Sequence, residues 1–278
     1  MLIIKIPFDP IIIQLGPIII SWHGFFMSAG MILAVYLCLQ IKEKFNYNED
    51  MVFNTALAAI PSGIIGARLL FVFEYWTFYA ANPIKIFALQ NGGISIWGGI
   101  IGGIIGGFLF AFFSKYPLLK GLDLAAFGLI FGQAIGRIGD MINGEHFGTS
   151  TQLPWGVIYT NQGSPAFLHS LANGAHHPAT SYEFIADMWI LLFMLLILFR
   201  CKRYFNGSFF VIYILLYSAM RFFVTNLRVD SAFFNDTGLR IPQMVSLSAM
   251  ILVISLTLIL YSLKKKRLFP RLFTRLEQ

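Results

Sequence analysis

Three charged residues lie close together in a stretch of the chain that follows a long apolar run. Arg137, Asp140 and Glu145 fall within the sequence GRIGDMINGEHFG. A guanidinium group can bind a phosphate through two parallel hydrogen bonds, and a carboxylate can accept a proton. The stretch therefore carries groups for anion binding and for acid–base chemistry. The spacing of Arg137 and Asp140 also fits a purely structural ion pair on one helical face.

The composition of the chain shows what surrounds these residues. Of 278 residues, 57% are hydrophobic and only 12% are charged, whereas soluble domains are about 45–50% apolar even with glycine counted. We therefore predict an all-α polytopic membrane protein. The formal net charge of +7 is a feature of many nucleic-acid-binding proteins, but the sequence carries no nucleic-acid-binding motif. Two cysteines do not indicate a disulfide framework.

Seven apolar segments are long enough to cross a bilayer. A span needs about 20 residues, because the hydrocarbon core is about 30 Å thick and an α-helix rises about 1.5 Å per residue. The predicted spans are residues 17–40, 51–79, 93–114, 121–142, 181–200, 207–224 and 242–263. We predict a single membrane domain over residues 1–278, with an external loop region at residues 143–180.

The basic residues between the spans predict which side faces the cytoplasm, since cytoplasmic loops of membrane proteins are enriched in Lys and Arg. Thirteen basic residues follow spans one, three, five and seven, and four lie on the other side: Lys5, Lys85, Arg228 and Arg240. The amino terminus is therefore predicted outside and the carboxyl terminus in the cytoplasm. The segment before the first span is expected to lie along one membrane face.

Three arginines fall within predicted spans, where an unpaired charge is costly. Arg68, Arg137 and Arg221 each lie roughly 21–26 Å from the cytoplasmic end of their span, counted at the helical rise. We expect them to line a common cavity that binds the phosphate of an anionic phospholipid. In the structural alternative they reach the headgroups or pair with an acidic residue of the spans, namely Glu74, Asp140 or Glu183.

Polar residues of the sixth span and glycines of the third indicate how this cavity is lined. Tyr217, Arg221, Thr225 and Arg228 are spaced by four, four and three, which places them on one helical face. Glycine pairs at 98/99, 102/103 and 106/107 allow close packing of helices. Glycine pairs on both sides of residues 94–97 predict a bend or re-entrant turn that lines the cavity.

Six motifs follow one another along nearly the whole chain: FDPIIIQLGPIIISWHG, GARLLFVFEY, GGISIWGGIIGG, GRIGDMINGEHFG, HHPATSYE and YSAMRFFVTNLR. Their sequences and their order resemble the bacterial prolipoprotein diacylglyceryl transferases, whose signature runs Gly-Arg-x-Gly-Asn-Phe-x-Asn-Gly-Glu. The resemblance implies transfer of the diacylglyceryl group of phosphatidylglycerol to the lipobox cysteine of a prolipoprotein, which releases glycerol phosphate. This is the first step of lipoprotein maturation.

The resemblance also implies where the protein acts and with what. We expect a multi-pass protein of the bacterial cytoplasmic (inner) membrane, with its site facing the periplasm or exterior. The expected partners are phosphatidylglycerol, the lipobox segment and membrane lipids, without cofactor, metal or nucleic acid, and the protein is expected to be a monomer.

Individual residues match positions that the family uses. Arg137 matches the signature arginine and Arg221 matches the essential arginine of the sixth span. The other positions expected to bind phosphatidylglycerol are Arg68, Asn143, Gly144, Tyr217, Arg228 and Glu183, and Glu145 ends the signature.

Four positions depart from the family pattern where chemistry is expected. Trp97 replaces the histidine of a His-Gly-Gly block, and an indole cannot accept a proton. The other three are His23 for a tyrosine, Asp140 for the signature asparagine and Thr225 for a glutamate. These departures leave open a non-catalytic or altered-substrate paralogue that binds anionic phospholipid or a lipoprotein precursor.

The predicted catalytic residues are His23, Asp140, Arg221 and Glu145. His23 and Asp140 are the departures that can accept the thiol proton. We rank His23 first, because pairing with Arg137 would make Asp140 a weaker base. Glu145 remains a further candidate.

Three further expectations concern a possible transport function, the histidines and Asp187. A transporter is disfavoured, because no internal repeat is visible and the intramembrane arginines lie towards one face. Four histidines are expected in a solvated loop that gates substrate entry rather than in a metal site: His146, His169, His176 and His177. Asp187 is expected to pair with an arginine.

Overall fold

The computed structural model describes residues 3–16, 18–88, 92–201 and 203–265, and this part of the chain is mostly helical. Its helices are α1 (Trp22–Ile41), α2 (Glu49–Glu74), α3 (Trp76–Ala81), α4 (Ile96–Phe113), α5 (Leu118–Asn143), α6 (Phe167–Asn173), α7 (Ala179–Arg200), α8 (Ser208–Thr225) and α9 (Ile241–Lys265). Its strands are β1 (Ile4–Ile6), β2 (Ile11–Leu15), β3 (Ile18–Ser21) and β4 (Val157–Tyr159). All helices except the short α3 and α6 are long and apolar enough to span a membrane, so the prediction of seven spans is confirmed.

The first span is shorter than predicted, because the residues before it form a β-hairpin. β2 and β3 pair in antiparallel fashion, as expected for a run rich in β-branched isoleucine. Ser21 then begins α1 as its N-cap, and its Oγ accepts a hydrogen bond of 3.1 Å from the N–H of Gly24. The predicted start of this span, Pro17, lies outside the described residues.

The central span of the bundle is α5, which packs against α1, α7 and α8. Its first half contributes Phe127 to a buried apolar core, with the Phe209 ring centroid 5.1 Å away. Asp123 of the same half holds the start of α8, where its two carboxylate oxygens accept hydrogen bonds from the N–H groups of Gly207 (2.6 Å) and Phe210 (3.0 Å). These contacts fix α8 relative to α5.

Glycine allows two pairs of helices to approach closely, which confirms the packing role predicted for it. A Cβ added to Gly102 of α4 would overlap the carbonyl oxygen of Ser62 and lie 3.0 Å from the Cα of Gly66 in α2. A Cβ added to Gly30 of α1 would lie 2.8 Å from the carbonyl oxygen of Gly132 in α5. The backbones of α1 and α5 are therefore in direct contact.

The bend predicted around residues 93–99 lies ahead of α4. Gly92 and Gly93 have positive φ angles of 73° and 80°, which glycine adopts without strain. α4 begins at Ile96 and includes Trp97 and the glycines that follow it. The prediction of a bend is thus confirmed for residues 92–95, whereas residues 97–99 are helical.

The region between α5 and α7 is a folded layer and not a solvated loop. β4 pairs in parallel with β1, and Ile6, Val157, Tyr159 and Ala166 form a small buried core within it. His176 is 0% exposed. The expectation of a solvated gating loop is therefore wrong for this residue, because the layer buries it against β4. We call residues 144–178 with β1 the outer layer.

The outer layer is tied to one end of the bundle. The hydroxyl of Tyr159 donates a hydrogen bond of 2.6 Å to the carbonyl oxygen of Met141, and that of Ser164 donates one of 2.8 Å to the carbonyl oxygen of Asn143. These contacts place the layer over the end of α5. Lys202 and the basic tail from Lys266 onward, which contributed to the predicted orientation, lie outside the described residues.

Candidate active site

Two groups of polar side chains meet where α5 ends beneath the outer layer. We call His23, Asp140 and Glu145 the acid–base cluster. The arginine cluster consists of Arg137, Arg221 and Arg228 arranged around Glu183. The predicted catalytic residues are thus brought together from the first turn of α1, the last turns of α5 and α8, and the residue after the α5 cap.

The acid–base cluster is joined by a hydrogen bond between His23 and Asp140 and by a longer ion-pair contact between His23 and Glu145. Nδ1 of His23 lies 2.6 Å from Oδ1 of Asp140 and 3.5 Å from Oε2 of Glu145. The second oxygen of each carboxylate accepts a hydrogen bond from another side chain. Oδ2 of Asp140 accepts one of 2.9 Å from Nη1 of Arg137, and Oε1 of Glu145 accepts one of 3.0 Å from Nδ2 of Asn143. The side chain of Asp140 is only 6% exposed, whereas those of His23 and Glu145 are 36% and 31% exposed. The cluster is therefore fixed from within and accessible from outside.

The end of α5 positions the cluster. Gly144 caps the helix in the left-handed conformation (φ +80°), and its N–H and that of Glu145 both donate to the carbonyl oxygen of Asp140. A Cβ added to Gly139 would lie 2.8 Å from the Cα of His23. This close backbone approach explains how His23 reaches Asp140. The predicted Gly144 thus acts here through its backbone conformation.

The arginine cluster is built around a carboxylate that is fully buried. Glu183 contacts Nη1 of Arg221, Nη1 of Arg228 at 3.2 Å and Nε of Arg137 at 3.0 Å. The Arg137 contact lacks hydrogen-bond alignment and is therefore Coulombic. The ion pair predicted between Arg137 and Asp140 is confirmed. The structural alternative, in which arginines pair with Asp140 and Glu183, thus applies to Arg137 and Arg221.

Arg221 retains donors for an additional partner. Within the part of the chain that the structure describes, only its Nη1 donates a hydrogen bond. Its Nε and Nη2 are therefore available to an anion, and the side chains of Arg137 and Arg221 are 14% and 18% exposed. The negative charge of Glu183 lowers the electrostatic free energy of holding the three arginines close together when no anion is bound.

Sequence reasoning missed Asp230. Its Oδ1 accepts a 2.9 Å hydrogen bond from Nε of Arg228, and its Oδ2 contacts Nδ1 of His146 at 2.6 Å. Burial alone would raise the pKa of Asp230, but hydrogen bonds from His146 and Arg228 hold it well below its usual range. Asp230 therefore anchors Arg228 in the cluster. The Arg-Val-Asp spacing in a predicted external loop was the available sequence signal.

The polar track predicted on α8 is only partly present. Arg221 and Arg228 both reach Glu183, but Arg228 lies beyond the end of the helix. The hydroxyl of Thr225 donates to the carbonyl oxygen of Arg221 at 2.6 Å, so it satisfies its own helix. The ring of Tyr217 stacks on Tyr213, with 5.9 Å between ring centroids.

Arg68 does not join the other two intramembrane arginines, so the predicted common cavity of three is wrong. Its five N–H groups donate to five backbone carbonyl oxygens of the segment between α3 and α4: Lys85, Ile86, Ala88, Gly92 and Gly93. No N–H group is left for a phosphate. Arg68 therefore organises this segment, and the bend at Gly92 and Gly93 encloses it.

The structure corrects the pairing expected for Asp187 and shows the surroundings of three other residues that the sequence singled out. Asp187 is fully buried, and among the described residues neither of its carboxylate oxygens has a hydrogen-bond partner, so it is not paired with an arginine. His146 contacts Asp230, whereas His176 contacts Ser170 Oγ at 3.1 Å. Burial lowers the pKa of His176 to about 4. Trp97 lies on α4 with 44% exposure.

The residues suited to a metal ion are those of the acid–base cluster. One ligand atom from each of its three residues lies within 4.8 Å of the other two. The four histidines of the outer layer do not form such a group among the described residues.

Two apolar cavities are lined by helices that also carry residues of the clusters. One of about 570 Å³ is lined by residues of β1, the end of α5 and the start of α7, including Met141, Ser181 and Tyr182. Another of about 440 Å³ lies between α7 and α8, and it shares Tyr182 and Ile185 with the first. Hydrophobic walls on the same helices as an anion-binding group suit an amphiphilic ligand.

Comparison with known proteins agrees with this chemistry. Residues 10–260 match the family described as prolipoprotein diacylglyceryl transferase. The chain is 38% identical over 244 residues to the phosphatidylglycerol–prolipoprotein diacylglyceryl transferase of Clostridioides difficile, covering 87% of this chain and 92% of that protein. A protein of the same name from Dehalococcoides mccartyi is 34% identical over 265 residues, covering 95% of this chain and 97% of that protein. The one from Gloeobacter violaceus is 35% identical over 244 residues, with coverages of 87% and 89%.

Proposed function

This chain belongs to the prolipoprotein diacylglyceryl transferase family, and on that basis we propose that it transfers the diacylglyceryl group of phosphatidylglycerol to the lipobox cysteine of prolipoproteins, the first step of lipoprotein maturation. The observation that carries this proposal is the junction of the two clusters. Arg137 bonds Asp140 of the acid–base cluster and contacts Glu183 of the arginine cluster. A proton acceptor and an anion-binding group therefore lie side by side.

The arginine cluster binds the phosphate. Arg137 and Arg221 offer guanidinium groups that match phosphate oxygens, while Arg228 and Glu183 hold them in place. As the reaction proceeds, negative charge accumulates on the departing phosphate oxygen. Fixed positive charge beside it stabilises the transition state more than the ground state.

The acid–base cluster prepares the thiol. Because Nδ1 of His23 donates to Oδ1 of Asp140, the lone pair of the neutral imidazole lies on Nε2, as in hydrolases that orient a histidine with an aspartate. Nε2 takes the thiol proton. The sulfur attacks the glyceryl carbon next to the phosphate, a C–S bond forms, and the C–O bond breaks with its electron pair going to the phosphate oxygen. Glycerol phosphate leaves.

The departures expected from the resemblance agree with this assignment. His23 and Asp140, the two expected departures that can accept a proton, contact each other. We infer that the two substitutions act as a pair, which supplies a proton acceptor that Trp97 cannot provide.

The proposed orientation places the active site outside the cytoplasm. The excess of basic residues after spans one, three, five and seven supports an external amino terminus in the bacterial inner membrane. A reporter fused after Gln278 is then cytoplasmic, and one inserted between Thr160 and Ser164 is external. Both reporters on the same side would contradict this orientation.

The decisive experiment incubates purified protein with phosphatidylglycerol vesicles and a lipobox peptide. The expected result is a peptide mass increased by one diacylglyceryl group, with no change for a peptide whose cysteine is replaced by serine. Binding of phosphatidylglycerol without any transfer would favour the alternative of a non-catalytic paralogue.

A further inference from the structure

We propose that the acid–base cluster is also a binding site for a zinc-type divalent ion, and that occupation of this site inhibits transfer. The inhibitory part rests on the proposed function, whereas the binding part does not. The three ligand atoms are Nδ1 of His23, Oδ1 of Asp140 and Oε2 of Glu145, which lie within 4.8 Å of one another. Imidazole nitrogen and carboxylate oxygen are both zinc ligands, and catalytic zinc sites use three protein ligands.

The distances require little movement. Zinc lies about 2.0–2.2 Å from nitrogen and oxygen ligands, so tetrahedral ligands stand roughly 3.3 Å apart. His23 Nδ1 is already 3.5 Å from Glu145 Oε2, and it is 2.6 Å from Asp140 Oδ1. Separating the second pair by less than about 1 Å would admit the ion. The ion would replace the proton that now joins these two atoms.

The ligands are held as metal ligands commonly are. Carboxylates that bind a metal usually have their other oxygen hydrogen-bonded. Here Arg137 holds the second oxygen of Asp140, and Asn143 holds that of Glu145. Oδ1 of Asn143, a residue that is 4% exposed, has no hydrogen-bond partner among the described residues. This oxygen is a polar atom of the same turn that the described residues leave without a partner.

The charges of the cluster and the exposure of its side chains also suit a zinc ion. Two carboxylates face the ion, and the positive charge of Arg137 is drawn towards Glu183 on its other side. The side chains of His23 and Glu145 are about one-third exposed, so an ion can enter. Three ligands leave the fourth zinc position open. Magnesium and calcium are disfavoured, because both prefer oxygen ligands and one of the three ligand atoms here is an imidazole nitrogen.

Occupation would stop the proposed reaction at its first step. An ion on Nδ1 removes the hydrogen bond by which Asp140 orients His23. The lipobox thiol would instead become the fourth ligand and lose its proton to water. A thiolate bound in this way is a weaker nucleophile than a free thiolate. Zinc and the proton compete for His23, so inhibition should weaken as pH falls.

Cobalt absorbance tests the binding part without reference to activity. The full-length protein in detergent is titrated with Co²⁺, and we expect one equivalent to bind with the visible absorbance of a four-coordinate site and to be displaced by Zn²⁺. Loss of an outer-shell partner alone costs about 10- to 100-fold in metal affinity, so His23→Gln should cost at least about 100-fold. Glu145→Gln provides a second variant, and His169→Gln, which removes a histidine outside the cluster, should bind as the unmutated protein does.

The outcomes separate this proposal from the proposed function. No stoichiometric Co²⁺ binding, or binding that survives both His23→Gln and Glu145→Gln, overturns the metal site. In the transfer assay, micromolar Zn²⁺ should inhibit, a chelator should restore turnover, and more Zn²⁺ should be needed at pH 6 than at pH 8. Full turnover with zinc bound overturns the inhibitory part. If metal-free protein performs no transfer, the proposed function fails while the Co²⁺ titration still decides the metal site.

Discussion

Nδ1 of His23 lies 2.6 Å from Oδ1 of Asp140, although 117 positions separate the two residues in the chain. The contact exists because α1 and α5 touch through glycine, with Gly139 packed against the backbone of His23. It joins a partly exposed imidazole to a buried carboxylate. This geometry leads to the first prediction.

Replacing His23 with Gln should lower turnover by about 100-fold or more, since a positioned acid–base group contributes about 10²–10⁴-fold. Binding of phosphatidylglycerol should persist, because the arginine cluster is unchanged. Peptide mass and lipid binding measure the two effects. Trp97→His is the control and should retain at least the original turnover. Full activity in both His23→Gln and Asp140→Asn would assign proton removal to Glu145, to water or to the substrate.

Replacing Arg137 or Arg221 with Gln should reduce turnover by about 10²–10³-fold, the usual cost of removing a group that stabilises developing negative charge. Lipid binding should weaken as well. Lysine should restore either function only partly, because one ammonium cannot form a bidentate pair. Arg200→Gln, at the far end of α7, is the matched control. Unchanged lipid binding and turnover in Arg137→Gln would rule out its phosphate role.

Arg68→Gln should destabilise the fold by about 2–4 kcal/mol, because several backbone carbonyl groups would lose their shared buried donor at once. Thermal unfolding in detergent measures the effect. Lys85→Ala keeps the carbonyl group that Arg68 uses and should change stability by less than about 0.5 kcal/mol. An unchanged melting temperature together with lost lipid binding would contradict this structural role and indicate that Arg68 binds the lipid phosphate.

Two adjacent glycines of α4 should respond oppositely to alanine. A Cβ at Gly102 would overlap the carbonyl oxygen of Ser62, so Gly102→Ala should cost about 1–3 kcal/mol. The nearest atom to a Cβ at Gly103 is the carbonyl oxygen of Ala59, at 3.6 Å. Gly103→Ala should therefore be neutral or stabilise by about 0.5–1 kcal/mol through helix propensity. Equal melting temperatures would contradict the close packing of α2 and α4.

The outer layer should lose stability in acid through His176. In the folded layer its pKa is about 4, because burial opposes protonation, whereas the unfolded chain binds the proton near 6.5. Stability should therefore fall as pH decreases from about 6.5 to 4, by at most about 3 kcal/mol. Amide hydrogen exchange at Tyr159 measures it. His176→Phe should flatten this pH dependence and His177→Gln should not; an unchanged slope in His176→Phe would assign the effect to another group.

The number of spans and the location of the chemistry follow from the sequence. Bilayer thickness requires about 20 apolar residues per helix. The length of an apolar run can be read directly from the linear sequence. The spacing of Arg137 and Asp140 within a single helix also predicted their ion pair, because helical geometry alone brings residues three apart together. The motifs identified the family for the same reason, because each motif is a short contiguous stretch of the sequence.

Only the tertiary structure decided which distant groups meet. Arg68, Arg137 and Arg221 look equivalent in sequence, yet Arg68 is saturated by backbone carbonyls that a bend at two glycines brings within reach. Asp230 joins the arginine cluster because a loop folds back on the outer layer. Hydropathy cannot distinguish these outcomes, because the partner of a buried charge is set by which polar atoms the packing leaves within about 3 Å.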